Sequence, residues 1–136
     1  FNFFTSFGYF KEEADNERTL HAIAADLKPG GKVVIDFMNA QQVIDNLVTH
    51  QTKKLDGIPF DIQKHYRAPF IEKEIRFQAD GEDHFFVERV QALCLSDFVR
   101  YLEKAGLTLV ETFGDYDLQP FDEEKADRLI VVGQKP

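Results

Sequence analysis

An acid set in an apolar run and a cluster of aromatic rings are the residues of this sequence best suited to chemistry. Asp36 interrupts the apolar segment from Val33 to Met38. A buried carboxylate is costly unless it has a hydrogen-bond donor or a working role, so Asp36 is a candidate site residue, with a turn or helix-cap role as the alternative. Residues 1–10, FNFFTSFGYF, are rich in aromatic rings, whose faces attract cations. Each ring taken singly is more simply explained as core, and Tyr9 is the best exception because its hydroxyl favours a wet boundary.

Polar residues with hydroxyl, amide and carboxyl groups follow two of the predicted strands. Tyr116 lies with Asp115 and Asp117 on a polar loop before the last strand. A solvated acidic turn explains the acids, and the Tyr116 hydroxyl is the group there that we expect to meet a substrate. Asn39 precedes a predicted helix and is either its cap or a site residue.

Arg89 lies among alternating apolar residues in the middle of the chain. Its guanidinium can reach an anionic group of a substrate. The competing interpretation is an ion pair with Glu72 or Glu74 on a neighbouring strand.

Several kinds of catalytic site lack support in the sequence. The four histidines are His21, His50, His65 and His84. No pair of them has metal-ligand spacing, so no metal site is expected, although His65 and His84 could face each other across a sheet. Ser6 and Ser96 lack the context of a hydrolase nucleophile, and Cys94 is the single cysteine.

Charge and composition limit the kinds of partner. The chain of 136 residues has a formal net charge of -8, which argues against nucleic acid and against an anionic membrane surface because both attract basic residues. No apolar run approaches the roughly 20 residues that span a bilayer. A small molecule or another protein is the expected partner, and the single cysteine fits a reducing, cytoplasmic setting.

The first third of the sequence predicts a strand–helix–strand unit. Residues 1–4 resemble the end of a buried strand, and a helix capped by Asp15 or Asn16 is expected to run to about Leu27. The segment LKPGGK ends this helix, since its glycines can adopt positive φ and proline cannot continue the helix. A buried strand over 33–38 and a second helix over 40–49 follow.

The remainder alternates between exposed strands and helix. Residues 53–93 predict three half-exposed antiparallel strands, with a hairpin at Asp80-Gly81. Ser96 is expected to cap a helix that Gly106 ends. The last two strands, over 107–113 and 128–134, are joined without a helix and should pair antiparallel. The expected fold is α/β, with a mostly parallel sheet whose last strand is antiparallel.

Three stretches together resemble class I S-adenosylmethionine-dependent methyltransferases. They are FFTSFGYF before a helix, LHAIAADLKPGGKVVIDFMN, and the final FVRYLEKAGLTLVETFGDYDLQPFD followed by DRLIVVGQKP. The resemblance implies that residues 1–136 correspond to the C-terminal part of one Rossmann-like methyltransferase domain, from its fourth strand onward. Residues 53–93 would then be an antiparallel insert.

The resemblance also implies an activity and a set of site residues. The intact parent would transfer a methyl group from S-adenosylmethionine to a small molecule, and the alternative is a non-catalytic α/β module for oligomerisation or partner binding. By residue, the implied roles are catalytic for Tyr9, Asp36 and Tyr116; cofactor-binding for Phe3, Phe4 and Thr5; and substrate-binding for Phe7, Asn39, Arg89 and Asp115. The family's glycine-rich loop and ribose-binding acid have no counterpart here, so the chain alone is expected to bind no cofactor tightly.

The uncharged segment FNFF suggests that the chain is a homo-oligomer. It carries no proline or charge that would block strand pairing. A two-fold dimer with Phe1, Phe3 or Phe4 near the contact is the simplest assembly. The edge strand of the alternating insert offers a second interface.

Overall fold

Two antiparallel sheets and three helices make up the computed structural model of the chain, which describes residues 12–136. In chain order the elements are α1 (Glu13–Asp26), β1 (Lys32–Met38), α2 (Ala40–Asp45), β2 (His50–Leu55), β3 (Ile58–Arg67), β4 (Phe70–Ala79), β5 (Glu82–Gln91), α3 (Leu95–Lys104), β6 (Thr108–Phe113) and β7 (Arg128–Gln134). None of the helices in residues 12–136 has the length and apolar character needed to cross a bilayer.

The first sheet has the strand order β1-β7-β6. Strand β7 pairs antiparallel with both neighbours, which confirms the predicted antiparallel pairing of the last two strands. The predicted mostly parallel sheet is not seen in the described residues, where every strand pairing is antiparallel. Strands β1 and β6 do run in the same direction, but β7 lies between them and prevents them from pairing. The strand predicted over residues 1–4 falls outside the described residues.

Helices α1 and α3 cover one face of this sheet and form the core with it. Phe37 of β1 meets Phe98 of α3 edge to face, with ring centroids 5.3 Å apart. Leu20 and Ala24, four residues apart on α1, point to the same side and are buried in the same cluster. The apolar periodicity of α1 and the continuous apolar run of β1 therefore produce one shared core.

Polar contacts along the edge of this core join the two helices. Lys104 Nζ donates to Glu17 Oε1 at 2.7 Å, and this hydrogen bond lowers the pKa of the partly buried Glu17 carboxyl. The Tyr101 hydroxyl donates to Glu13 at 3.1 Å. Burial of the Tyr101 ring and this bond to Glu13 raise the pKa of its phenol. These contacts fix how α1 and α3 lie against each other.

The second sheet is an insert between α2 and α3, with strand order β2-β3-β4-β5. It has four strands over residues 50–91, where the sequence predicted three over residues 53–93. The predicted hairpin at Asp80-Gly81 is confirmed, and both residues have positive φ, 54° and 77°. Asp56-Gly57 makes an equivalent turn, with φ values of 51° and 78°. Because two-residue turns with positive φ at both positions suit the twist of a hairpin, this second Asp-Gly pair accounts for the missed strand.

Helix ends differ from the sequence prediction where tertiary contacts intervene. Helix α3 takes Cys94 rather than Ser96 as its N-cap, because the Asp97 carboxylate accepts the Cys94 backbone N–H at 2.9 Å. Asn16 lies inside α1, fully buried, and its amide donates to Gln91 of β5. Helix α2 ends at Asp45 rather than at 49.

Truncation of Phe98 tests this description of the core. Phe98→Ala removes a fully buried ring and should lower the free energy of unfolding by about 3–5 kcal/mol. Val110→Ala, at a side chain that is 41% exposed, is the control and should change it by less than about 0.5 kcal/mol. Urea denaturation followed by circular dichroism measures both, and equal losses would contradict this placement of the core.

Candidate functional site

Asp36 lies two residues before the end of β1, on the side of the sheet opposite the helices. Its neighbours Ile35 and Phe37 are buried in the core, and successive side chains of a strand point to opposite faces. The residue is 6% exposed. Asp36 Oδ1 accepts a hydrogen bond from Arg128 Nε at 2.7 Å, and Oδ2 accepts one from the Tyr116 hydroxyl at 2.7 Å. The predicted acid therefore has the donors that its burial requires.

Tyr116 lies on the loop between β6 and β7 and is 70% exposed. The Arg128 guanidinium lies over its ring, 5.8 Å from the centroid. The hydrogen bond to Asp36 is the main reason that the pKa of the Tyr116 phenol is raised above its ordinary value. At neutral pH the hydroxyl therefore keeps its proton and donates it to Asp36, and the oxygen lone pairs remain able to accept a hydrogen bond.

Asn39 ties the end of β1 to the same loop. Its side-chain amide donates to the backbone oxygens of Glu123 at 2.9 Å and Ala126 at 2.8 Å, and the residue is 2% exposed. It occupies the N-cap position of α2 but makes no side-chain cap hydrogen bond. Asn39 therefore positions the loop that carries Tyr116.

Asp115 and Gly114 shape the start of that loop. Asp115 Oδ1 accepts the backbone N–H groups of Asp117 at 2.9 Å and Gln119 at 3.2 Å. A Cβ on Gly114 would lie 2.7 Å from the Cβ of Ala126, so this close approach of the two ends of the loop requires glycine. In the structure Asp115 organises the turn before Tyr116, and its role as a substrate contact stays a prediction.

Several solved structures that this chain resembles are methyltransferases. A methyltransferase dependent on S-adenosylmethionine, from Clostridium acetobutylicum, superposes with a TM-score of 0.81 at 16% identity over 96% of this chain and 55% of its own. A methyltransferase from Streptomyces caelestis gives a TM-score of 0.73 at 19% identity over 97% and 54%. An amino pentose methyltransferase of calicheamicin biosynthesis, from Micromonospora echinaspora, gives 0.65 at 14% identity over 98% and 56%.

This is the fold of S-adenosylmethionine-dependent methyltransferases. The finding confirms the resemblance drawn from the sequence at the level of the fold, and the chain spans about half the length of the solved structures it matches. No protein-family profile and no curated protein sequence matches the chain.

Within this methyltransferase fold, Arg89 belongs to the insert rather than to the Asp36 cluster. Arg89 Nη2 lies 3.0 Å from Glu72 Oε1, and its guanidinium lies 5.3 Å from the centroid of the Phe70 ring. Arg67 contacts the other oxygen of Glu72 at 3.1 Å. The predicted pairing with Glu72 is confirmed, and a substrate contact at Arg89 stays a prediction.

Five predicted site residues lie outside the described residues and stay predictions. They are Phe3, Phe4, Thr5, Phe7 and Tyr9.

The histidine pair suggested by the sequence does not form. His65 pairs with Glu72 in the β3–β4 register, and His84 pairs with Phe77 in the β4–β5 register. Since Glu72 and Phe77 are an odd number of residues apart on one strand, the two histidines lie on opposite faces. In residues 12–136, no group of three or more His, Cys, Asp or Glu side chains is placed to hold a metal ion.

Arg128 is the site residue whose partner the sequence did not reveal. Its partner is Asp36, 92 positions away. The sequence did show an acidic residue, Asp36, inside one apolar strand and a basic residue, Arg128, at the start of another. Matching them required the order of strands, which brings Arg128 opposite Met38.

Asp36→Asn tests the link between the carboxylate and the phenol. In the wild-type protein the hydrogen bond from Tyr116 to Asp36 stabilises the fold fully at pH values below about 10, which is the pKa of tyrosine in the unfolded chain. This stabilisation is lost as the pH rises through the raised pKa of Tyr116 in the folded protein. The substitution should therefore lower the pKa of Tyr116 toward 10, as followed by NMR of the ring carbons. Asp117→Asn, which removes a nearby charge but not this bond, is the control, and an equal shift in both variants would refute the role of Asp36.

Proposed function

We propose that the chain is the substrate-side half of an S-adenosylmethionine-dependent methyltransferase that acts on a small molecule in the cytoplasm. The observation that carries this proposal is the match to a methyltransferase over 96% of the chain at a TM-score of 0.81. An amino pentose methyltransferase and a sugar N-methyltransferase are among the similar structures. They favour an acceptor with an amine or hydroxyl nucleophile.

Tyr116 is the residue that we assign to contact the acceptor. Its hydroxyl donates a hydrogen bond to Asp36 at 2.7 Å, so the lone pairs of its oxygen can accept a hydrogen bond from the N–H or O–H of the acceptor. Such a contact directs a nucleophile without removing its proton, and positioning of this kind is the main protein contribution to an in-line displacement. The raised pKa of Tyr116 argues against a phenolate base at neutral pH.

Asp36 and Arg128 are positioning residues in this proposal. Arg128 bonds one carboxylate oxygen and Tyr116 the other, so the direction of the Tyr116 hydroxyl depends on an acid that is itself held in place. Charge-assisted hydrogen bonds of this kind are shorter and stronger than neutral ones. Their strength keeps an exposed ring in a defined orientation.

The described residues do not fit a complete cofactor site. S-adenosylmethionine supplies, when bound, a methyl group on a sulfonium sulfur. The Asp36 carboxylate is directed at Arg128 and Tyr116 and the residue is 6% exposed, so little of it is open to a ribose hydroxyl. Gly30 and Gly31 lie in the turn between α1 and β1 and do not precede a helix. We therefore assign no cofactor contact to residues 12–136.

The isolated chain should bind S-adenosylmethionine weakly. Calorimetry on the purified chain is expected to give a dissociation constant well above the micromolar range, because the family's glycine-rich loop and ribose-binding acid have no counterpart in this sequence. A value near 1 μM, about -8 kcal/mol, would contradict this assignment and place the cofactor site within the chain.

In a longer parent protein that carries this chain, Tyr116→Phe should lower kcat roughly ten- to hundredfold, since misplacement of a nucleophile is costly. The melting temperature should change little because the ring is 70% exposed and Asp36 keeps its bond to Arg128. Tyr66→Phe, at a half-exposed tyrosine of the insert, is the matched control and should leave kcat unchanged. An unchanged kcat in Tyr116→Phe would remove Tyr116 from the proposal.

The non-catalytic alternative is an α/β module that uses the exposed edge of its insert sheet. The coding sequence upstream of Phe1 separates the two ideas. A segment with a glycine-rich loop after a strand supports the enzyme, and a start codon directly before Phe1 supports the module.

A further inference from the structure

Strand β5 is an edge of the insert sheet with three adjacent exposed apolar side chains in its middle. In the described part of the chain it has only β4 beside it, and its Phe85, Phe86 and Val87 side chains are 51%, 54% and 49% exposed. The opposite edge, β2, has six residues and carries Lys53 and Lys54, features that protect an edge from pairing. Only β5 combines ten residues, exposed apolar side chains and no proline.

We infer that two copies of the chain pair β5 with β5, antiparallel and about a two-fold axis. The two insert sheets would then form one continuous sheet with four strands from each copy. The symmetry is that of the commonest soluble homodimers.

The backbone of β5 determines which residues can pair. The Ala92 N–H donates to the Pro69 oxygen at 2.8 Å, and the β4–β5 register continues without a shift from Phe70–Gln91 to Ala79–Glu82. Because bonded pairs alternate along an antiparallel ladder, even-numbered residues of β5 bond to β4. The odd-numbered residues 83–89 therefore direct their N–H and C=O groups away from β4. In a dimer, the hydrogen-bonded pairs must join an odd-numbered residue of one β5 to an odd-numbered residue of the other.

Charge selects one register among those that the backbone allows. With Phe86 on the axis, Asp83 faces Arg89 and His84 faces Glu88, and each pair occurs twice. The cross-strand neighbours Phe85 and Val87 also face each other. The opposite charges of Asp83 and Arg89 and the apolar pair of Phe85 and Val87 stabilise a sheet at directly facing positions.

The neighbouring registers are less favourable. With Phe85 on the axis, Glu82 faces Glu88, which places like charges opposite each other. With Val87 on the axis, Arg89 faces Phe85 and Glu88 faces Phe86, so neither charge gains an opposite charge in the second copy. The sequence of β5 thus matches itself best about Phe86.

The selected register also covers an apolar groove of about 600 Å³ at its β5 side. The groove includes Phe60, Phe77 and Phe86, and the Phe77 and Phe86 rings stack with centroids 5.9 Å apart. Residues Phe86 of two copies meet at the axis on this face, so pairing removes both half-exposed rings from water. Burial of apolar rings adds a driving force to the hydrogen bonds of the edge.

Sedimentation equilibrium of the purified chain tests the assembly. We expect a mass of about twice 15.7 kDa at micromolar concentration. Val87→Pro removes an outward N–H without removing a bond to β4, and should raise the dimer dissociation constant at least tenfold. Lys54→Pro is the matched control at the other edge of the sheet. Because the Lys64 N–H bonds the Thr49 oxygen, the same alternation along the ladder directs the Lys54 N–H outward, away from β3. This variant should therefore leave the dimer intact.

Disulfide cross-linking tests the register. In a Cys94→Ser background, Phe86→Cys should form a dimer-linking disulfide on mild oxidation, because facing residues in a non-hydrogen-bonded pair have Cα atoms about 4.5 Å apart. His84→Cys faces Glu88 of the other copy and should not cross-link. A monomer at all concentrations, loss of the dimer in Lys54→Pro but not in Val87→Pro, or stronger cross-linking of His84→Cys would each overturn the proposal.

Discussion

The carboxylate of Asp36 is the constraint on which the candidate site depends. It lies on β1, and its two oxygens are bonded by Arg128 at the start of β7 and by Tyr116 on the loop before it. A largely buried charge that loses its partner costs about 3–5 kcal/mol, so the three groups hold each other in one arrangement. The pairing of β1 with β7 and the path of the loop are thereby fixed at the same point.

Hydrogen bonds from several sides hold the loop between β6 and β7 in place. Asn39 bonds two of its backbone oxygens, Asp115 bonds two of its N–H groups, and Arg128 N–H donates to Gly114 oxygen at 2.9 Å. A long connection with satisfied backbone groups can carry an exposed side chain in a defined place. Tyr116 is therefore an exposed ring on a rigid support, which is what a contact to a substrate requires.

The insert contributes a surface of a different kind. The ion pairs of Arg67 and Arg89 with Glu72 lie on one face, and its aromatic rings stack on the other. Gln91 at the end of β5 accepts a hydrogen bond from Asn16 of α1, which connects the insert to the helices over the first sheet. The proposed association through β5 and the proposed site around Asp36 therefore lie in separate parts of the molecule. The buried hydrogen bond between Asn16 and Gln91 connects the two parts.

The sequence by itself determined the local elements. Apolar spacing predicted α1, the continuous run predicted β1, Asp80-Gly81 predicted a hairpin, and the helix-free connection predicted that the last two strands pair antiparallel. It also indicated that Asp36 needs a donor, since burial of a carboxylate in an apolar run follows from the neighbours alone. The missed strand had a local signal as well, because Asp56-Gly57 is the same kind of turn as Asp80-Gly81.

Only the tertiary structure decided which groups meet. The donors to Asp36 lie 80 and 92 positions away, and they reach it because β7 inserts between β1 and β6. The same insertion makes both pairings of the first sheet antiparallel, and contacts between elements placed Asn16 inside α1. Periodicity and turn chemistry act over a few residues, whereas strand order is set by how the whole chain buries its apolar faces, and no local pattern contains that information.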